Sequence, residues 1–136
     1  MLKRFSISLE EQLLTIFDEH IKAHSYNNRS EAIRDLIRKA FVKEEWQADK
    51  PVMGVISLVY DHHQYKLQEK VTLVQHDYHH HIVSTTHVHM DHHNCLEVIV
   101  VRGKAKEVQD LADRLAALKG VRDANLAMSS TGKALH

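Results

Sequence analysis

The stretch IVSTTHVHMDHHNCLEVIVV, residues 82–101, decides the fold of the second half of the chain. It contains two segments rich in apolar and β-branched residues, Ile82–Met90 and Cys95–Val101. Between them lies Asp91–Asn94, a short polar stretch typical of a tight turn. The pattern therefore predicts a β-hairpin.

The predicted hairpin brings several metal-ligating side chains together. Positions two apart on a strand point to the same side, so His87 and His89 share a face, and the turn returns Cys95 to their neighbourhood. His76 is available as a fourth ligand. Three imidazoles and a thiolate suit Ni, Cu(II), Zn or Co rather than Mg or Ca. The alternative is a half-exposed strand with solvated polar side chains, but a His-x-His pair followed by the chain's single cysteine favours a metal site.

The hairpin lies within an alternation of strands and helices that spans residues 52–136. The remaining predicted elements are a strand at Val52–Tyr60, a helix at Gln64–Tyr78, a helix at Glu107–Leu118 and a strand at Val121–Met128. The order βαββαβ predicts an α+β, ferredoxin-like domain, in which helices cover one face of an antiparallel sheet.

The first 45 residues follow a different pattern, strand–helix–helix. Arg4–Leu9 alternates polar and apolar residues, as a half-buried strand does. Ser8 and Glu11 have the spacing of a capping box, which predicts that a helix starts at Ser8. Asn28 or Ser30 is expected to cap a second helix. The only proline and the loss of helical periodicity place a linker at residues 46–51.

A single strand in the first half has no partner within that half. Pairing with the same strand of a second copy satisfies its backbone groups and buries its apolar face under four helices. The other face of the resulting two-stranded ribbon displays Arg4, Ser6 and Ser8 twice, and such a ribbon fits the major groove of double-stranded DNA. The alternative is a solvated edge strand of a larger sheet.

Composition excludes several classes of protein. The chain has 18 basic residues (Lys and Arg together) and 18 acidic residues (Asp and Glu together). The net charge of zero therefore gives no bulk attraction to nucleic acid or membrane. One cysteine cannot form an internal disulfide, which fits a reducing cytosol. The N-terminus has no apolar core of a secretory signal, and no apolar run approaches the ~20 residues that span a bilayer. We therefore expect a cytoplasmic protein.

These motifs together resemble the NikR family of nickel-responsive transcriptional regulators. The segment YNNRSEAIRD, residues 26–35, is similar to the family's helix-start signature. The pattern His76…His87-Val88-His89…Cys95, followed by Leu96-Glu97, matches its metal signature at every ligand. The resemblance covers nearly the whole chain, although Ser25 stands where the family commonly has glycine.

The resemblance implies a ribbon-helix-helix dimer joined to an ACT-type domain that forms a homotetramer, a dimer of dimers. It also implies one Ni²⁺ per subunit in a square-planar site at the tetramer interface. His87, His89 and Cys95 would come from one subunit and His76 from its neighbour. A site shared in this way couples metal occupancy to the arrangement of the subunits.

The resemblance assigns roles to three further groups of residues. The DNA contacts would be Arg4, Ser6 and Ser8 to bases, and Asn28, Arg29 and Ser30 to phosphate at a helix N-terminus. A hard cation of low affinity would bind Glu31 and Asp35, which are otherwise read as a solvated acidic pair. The residues that orient the metal ligands by hydrogen bonds would be Tyr60, His62 and Glu97. The histidine runs 62–63, 79–81 and 92–93 are interpreted either as loose extra metal sites or as solvated turn residues.

The predicted function is a nickel-sensing repressor that binds a palindromic operator and represses nickel uptake genes. A nickel storage or delivery protein, and a sensor of Cu or Co, are the alternatives. An enzyme is disfavoured because four protein ligands leave no open position on the metal.

Overall fold

Four helices and four strands follow one another along the chain. The computed structural model describes all 136 residues, which divide into two compact units, residues 1–40 and 41–136. The elements are α1 (Glu11–Ala23), α2 (Arg29–Gln47), β1 (Pro51–Asp61), α3 (Leu67–Asp77), β2 (Ile82–His89), β3 (Asn94–Lys104), α4 (Ala105–Ala116) and β4 (Val121–Ser129). None of the helices is both long and apolar enough to cross a membrane.

The strands of the second unit form one antiparallel sheet in the order β2-β3-β1-β4. This order, with α3 and α4 inserted between strands, is the predicted ferredoxin-like arrangement, so the α+β fold class is confirmed. Alternate residues of β1 and β3 are buried, among them Ile56, Leu58 and Ile99. They pack with the apolar faces of α3 and α4 into one core on one side of the sheet.

The two helices of the first half are present, with one predicted cap right and one wrong. The Asn28 side chain accepts a hydrogen bond from the Glu31 backbone N–H at 2.9 Å, as an N-cap of α2 does. The Ser8 capping box is wrong, because α1 begins at Glu11 and is preceded by Glu10 without a side-chain cap. Glu11 is therefore the first helical residue rather than the third, so the Ser8–Glu11 pairing of a capping box does not form at this helix start.

Residues 4–9, predicted as a strand, form neither strand nor helix in the single chain. A strand needs a neighbour with which its N–H and C=O groups can pair, and no segment of this chain pairs with residues 4–9. Phe5 and Ile7 are consequently left 73% and 62% exposed.

The break between α2 and β1 is shorter than the predicted linker. Helix α2 continues through Trp46 and Gln47, and β1 already begins at Pro51. The Trp46 ring belongs to the core of the second unit, and its indole N–H donates to the Ser129 carbonyl at 2.9 Å. This burial holds the last turn of α2, whereas Asp49 leaves helical geometry with a φ of 54°.

The Asp91 side chain closes the turn between β2 and β3. Its Oδ1 accepts hydrogen bonds from the backbone N–H groups of His93 at 2.9 Å and Asn94 at 2.7 Å. These N–H groups, Asn94 first, stabilise the ionised form and lower the pKa of Asp91 to about 2. The turn fixes the register in which His89 lies opposite Cys95.

Replacing Asp91 with Asn tests this turn in the metal-free protein. The pKa of Asp91 is lower in the folded than in the unfolded chain, so its ionisation stabilises the fold above about pH 4 and that contribution is lost toward about pH 2. Asn keeps an acceptor but does not titrate. We expect the free energy of unfolding, measured by urea denaturation between about pH 5 and about pH 3, to fall more steeply for the wild type than for Asp91→Asn. Parallel pH profiles would contradict this role.

Candidate metal centre

Three strands place three of the four predicted metal ligands, together with Tyr60 and Glu97, on one face at one end of the sheet. In the strand register, His87 lies opposite Glu97, His89 opposite Cys95, and Cys95 opposite Tyr60. Directly paired residues point to the same side, so all five share the face that carries the helices. The rings of His87 and His89 are 5.1 Å apart between centroids.

Glu97 is the buried charged residue of the core region, with 6% of its surface exposed. The Tyr60 hydroxyl donates to its Oε1 at 3.1 Å, and the Gln75 amide donates to its Oε2. Oε1 also lies 3.3 Å from Nδ1 of His87. Burial, together with the nearby Glu97 charge, raises the pKa of Tyr60, which keeps the phenol protonated as a donor. The carboxylate therefore orients the His87 ring.

Two imidazole nitrogens at this site are buried without a hydrogen-bond partner, Nε2 of His87 and Nδ1 of His62. Buried polar atoms are almost always paired, and an unpaired one costs about 1–3 kcal/mol. Since Glu97 already engages Nδ1 of His87, Nε2 is left as the free nitrogen. A carboxylate on one ring nitrogen and a vacant second nitrogen are the arrangement of metal-binding histidines, so this donor set fits a late transition metal.

His62 contributes a neutral ring beside these ligands. Its ring meets that of His89 edge to face, with 5.1 Å between centroids. Burial first, and then the charges of His63 and His89, lower the pKa of His62. The ring is therefore uncharged near neutral pH and can share the site with a cation.

Cys95 is fully buried, and its thiol donates to the Tyr60 carbonyl at 3.3 Å. Burial raises the pKa of this thiol. A metal binds the thiolate, so occupation of the site would release a proton.

His76 is placed differently from the other three predicted ligands. It is exposed on α3, and its ring stacks on that of His79, with 5.5 Å between centroids. Exposure leaves the imidazole accessible to a second subunit.

Gln75 is a functional residue that the sequence reasoning missed. Its amide donates to Glu97 and accepts from the Thr85 hydroxyl at 3.1 Å, so it connects α3 to both β3 and β2. A usable signal was present in the sequence, because Gln75 follows the buried Val71 by one helical turn. A polar residue on a buried helix face indicates a buried hydrogen-bond partner.

The predicted DNA-contacting residues are all on the surface, but the side chains of Asn28 and Arg29 already have partners within the chain, the Glu31 backbone N–H and the Asp18 carboxylate. Arg4, Ser6 and Ser8 are exposed. The Arg29 guanidinium forms a two-point ion pair with Asp18, Nε to Oδ1 at 3.0 Å and Nη2 to Oδ2 at 2.9 Å. A phosphate that binds Arg29 therefore competes with the Asp18 carboxylate.

Glu31 and Asp35, the predicted cation ligands, each have a partner of their own. The Tyr26 hydroxyl donates to Asp35, and the Lys39 ammonium lies 3.2 Å from the same carboxylate. Glu31 accepts a hydrogen bond from the Asn27 N–H at 3.4 Å. The structure thus places the two carboxylates on neighbouring turns of α2 without joining them in one cluster.

Comparisons with known proteins extend over both units. Residues 53–129 match the family model described as the NikR C-terminal nickel-binding domain. Residues 3–44 match the ribbon-helix-helix protein family of the copG type.

The chain is also similar over nearly its whole length to proteins from several organisms. A Desulfotalea psychrophila protein named "Putative nickel-responsive regulator" is 74% identical over 136 residues, which is 100% of both chains. Proteins of the same name from Geobacter sulfurreducens and Thermococcus kodakarensis are 52% and 50% identical, and the matches cover 98% and 97% of this chain and 96% of each relative. An uncharacterized Thermotoga maritima protein of known structure shares the fold over 57% of this chain and 96% of its own, with a TM-score of 0.52 and 14% identity.

Truncating Glu97 tests the hydrogen-bond network in the metal-free protein. Glu97→Ala leaves the buried Tyr60 hydroxyl and Gln75 amide without their acceptor, so we expect a loss of about 2–4 kcal/mol in the free energy of unfolding. Glu107→Ala is the matched control, since that carboxylate is exposed and lies 3.3 Å from His81. We expect it to change stability by less than about 1 kcal/mol in urea titrations. Equal losses in the two variants would show that Glu97 is not the organising residue.

Proposed function

The chain belongs to the NikR family of ribbon-helix-helix, nickel-responsive regulators, and on this premise we propose that it is a nickel-sensing transcriptional repressor. The family consists of transcription regulators rather than enzymes, and the matched models cover a DNA-binding type of domain and a nickel-binding domain. In the proposed function, nickel binding to the second unit promotes binding of the first unit to an operator and so represses nickel uptake genes.

The observation that carries the nickel site is the buried, unpaired Nε2 of His87 beside a carboxylate that holds Nδ1. We propose that His87, His89 and Cys95 of one subunit and His76 of a neighbouring subunit hold one Ni²⁺ per subunit. Nickel bound there would link the two subunits. The edge position of β2 supports this arrangement, because the strand that carries His87 and His89 is open on its outer side.

Tyr60, His62 and Glu97 are proposed to position the ligands. Glu97 fixes the orientation of His87, and Tyr60 holds Glu97 through its hydroxyl and Cys95 through its backbone carbonyl. His62 packs against His89. Loss of such supporting contacts typically weakens metal binding by about 10- to 100-fold.

The DNA-binding half is proposed to be completed by a second copy of the chain. Pairing of residues 4–9 with the same segment of a partner would bury Phe5, Ile7 and Leu9, which are 73%, 62% and 36% exposed in the single chain. The opposite side of the ribbon would present Arg4, Ser6 and Ser8 to the bases. Asn28, Arg29 and Ser30, at the start of α2, are proposed to bind phosphate, with Arg29 released from Asp18 on contact with DNA.

We further propose that Glu31 and Asp35 bind a hard cation weakly when DNA is bound. Such a cation would be repelled by the Lys39 ammonium, which lies 3.2 Å from Oδ2 of Asp35, and this accords with a low affinity.

Assembly into a homotetramer would let two ribbons read the two halves of a palindromic operator. Tethering raises the effective concentration of the second ribbon, so operator affinity increases without new base contacts. We propose that the regulator acts in the cytoplasm, where its single thiol stays reduced.

A nickel titration of the metal-free protein tests the site directly. We expect a thiolate-to-nickel charge-transfer band that saturates at about one ion per chain and is lost in both Cys95→Ala and His89→Ala. His79→Ala is the matched control, because it removes an exposed imidazole near His76 and should leave the band unchanged. A band that survives without Cys95 would refute the ligand assignment. Repeating a DNA-binding measurement with the protein loaded equally with Ni²⁺, Cu²⁺ or Co²⁺ shows which metal promotes DNA binding.

A charge-matched pair of variants tests the DNA-reading face. Arg4 and Lys3 carry the same charge but fall on opposite faces of the proposed strand. With a duplex selected from a random pool by the nickel-loaded protein, we expect Arg4→Ala to weaken binding by about tenfold or more and Lys3→Ala by about threefold or less. Nickel binding should be unchanged in both. Similar losses in the two variants would point to charge alone, and persistence of full affinity would exclude the ribbon.

A further inference from the structure

Two turns that are distant in sequence meet at the same end of the sheet. One turn follows Asp61, the last residue of β1, and carries His63, and the other joins β2 to β3 and carries His93. The His62 N–H donates to the His93 carbonyl at 3.2 Å, which fixes the backbones of the two turns against each other. The donor atoms of Asp61, His63 and His93 all lie within 4.8 Å of one another.

The spacing within this cluster is close to that of ligands around one ion. Oδ1 of Asp61 is 3.5 Å from Nδ1 of His63. Two ligands each about 2.1 Å from a tetrahedral ion are about 3.4 Å apart, so an ion can bridge this pair with little movement. The ring of His93, whose centroid is 5.7 Å from that of His63, completes the set.

The carboxylate is held with one oxygen facing the histidines. Oδ1 of Asp61 accepts the His63 backbone N–H at 2.9 Å, while Oδ2 is turned toward the Arg122 guanidinium at 3.9 Å. The Arg122 side chain also donates to the Asn94 side chain, which holds the guanidinium near Oδ2 rather than Oδ1. Oδ1 of the half-buried Asp61 is thus already positioned close to His63 and His93.

We propose that Asp61, His63 and His93 form a second metal site, which binds a divalent late first-row ion of the Ni²⁺ or Zn²⁺ type. Two imidazoles and one carboxylate suit such ions and disfavour Mg²⁺ and Ca²⁺, which prefer oxygen ligands. Three protein ligands leave positions for water, so the site is weaker than one with four protein ligands. It needs no second subunit, since all three donors come from one chain, and it does not depend on the proposed nickel site.

A metal ion in the second site would restrict the motion of the two turns next to the proposed nickel site. His62, between Asp61 and His63, packs its ring against His89. An ion that bridges the two turns would therefore reduce the motion of His62 and of His89, against which His62 packs.

Equilibrium dialysis against Ni²⁺ alone, with bound metal measured by elemental analysis, tests the proposal. We expect the wild-type protein to bind about one ion per chain beyond the first at micromolar free Ni²⁺, and His63→Gln/His93→Gln to lose that additional ion. The matched control is His79→Gln/His80→Gln, which removes a neighbouring pair of exposed histidines whose rings are 3.9 Å apart. Circular dichroism checks that each variant is folded.

A third variant and one spectrum separate this site from the alternatives. Asp61→Asn keeps the shape of the side chain, and we expect it to weaken the additional ion by about tenfold or more because the charged ligand is lost. Equal losses in the two double-histidine variants, or full retention in Asp61→Asn, would overturn the proposal in favour of loose chelation by surface histidines. A wild-type protein with no bound ion that depends on His63 and His93 would also overturn it. The thiolate band should be unchanged in all three variants, so its absence from the wild type would refute the proposed nickel site while leaving this inference intact.

Discussion

The buried carboxylate of Glu97 is the interaction on which the metal centre depends. Removing an ionised group from water costs several kcal/mol unless its lone pairs are filled. Here a hydroxyl from β1, an amide from α3 and an imidazole from β2 converge on a residue of β3. One charge therefore ties four elements together at one end of the sheet. If one of these side chains rotated alone, a buried donor would lose its hydrogen-bond acceptor. The network therefore holds the His87 ring in one orientation.

The same network explains why the site is incomplete in the single chain. Glu97 engages one nitrogen of His87 and leaves the other buried and unpaired. The Tyr60 phenol cannot supply a partner, because it is committed to Glu97. A protein that retains an unpaired buried nitrogen gives up stability at that point, and such exceptions are expected where function requires them. In the proposed nickel site a cation would satisfy this nitrogen, and the nearby His89 and Cys95 would favour a late transition metal.

The sequence predicted the features that local pattern controls. Alternation, helical periodicity and the polar turn at Asp91–Asn94 were sufficient for the ferredoxin-like succession of strands and helices and for a hairpin that returns Cys95 to the neighbourhood of His87 and His89. The length of α2 was not predictable in this way, because the burial of Trp46 in the core of the second unit extends it. Nor was the contact between the β1–α3 turn and the β2–β3 turn, which depends on the sheet order. Gln75 was missed although its helical spacing indicated a buried face.

The two units differ in how far one chain can stabilise them. In the second unit, Tyr60, Leu67, Ile99 and Leu111 are fully enclosed, whereas α1 contains no buried residue. The large apolar residues Phe5, Leu13, Ile16 and Ile37 remain 42–73% exposed. A unit of about 40 residues rarely closes a core alone and commonly relies on association.

In the proposed dimer, the strand that supplies the missing core residues is also the strand that presents Arg4 to DNA. Because side chains alternate along this strand, the odd-numbered residues from Phe5 to Leu9 would stabilise the dimer, and the even-numbered residues from Arg4 to Ser8 would contact the operator. In that proposed dimer the DNA-binding surface would exist only in the associated protein, so any event that changes the association of subunits would also change DNA binding.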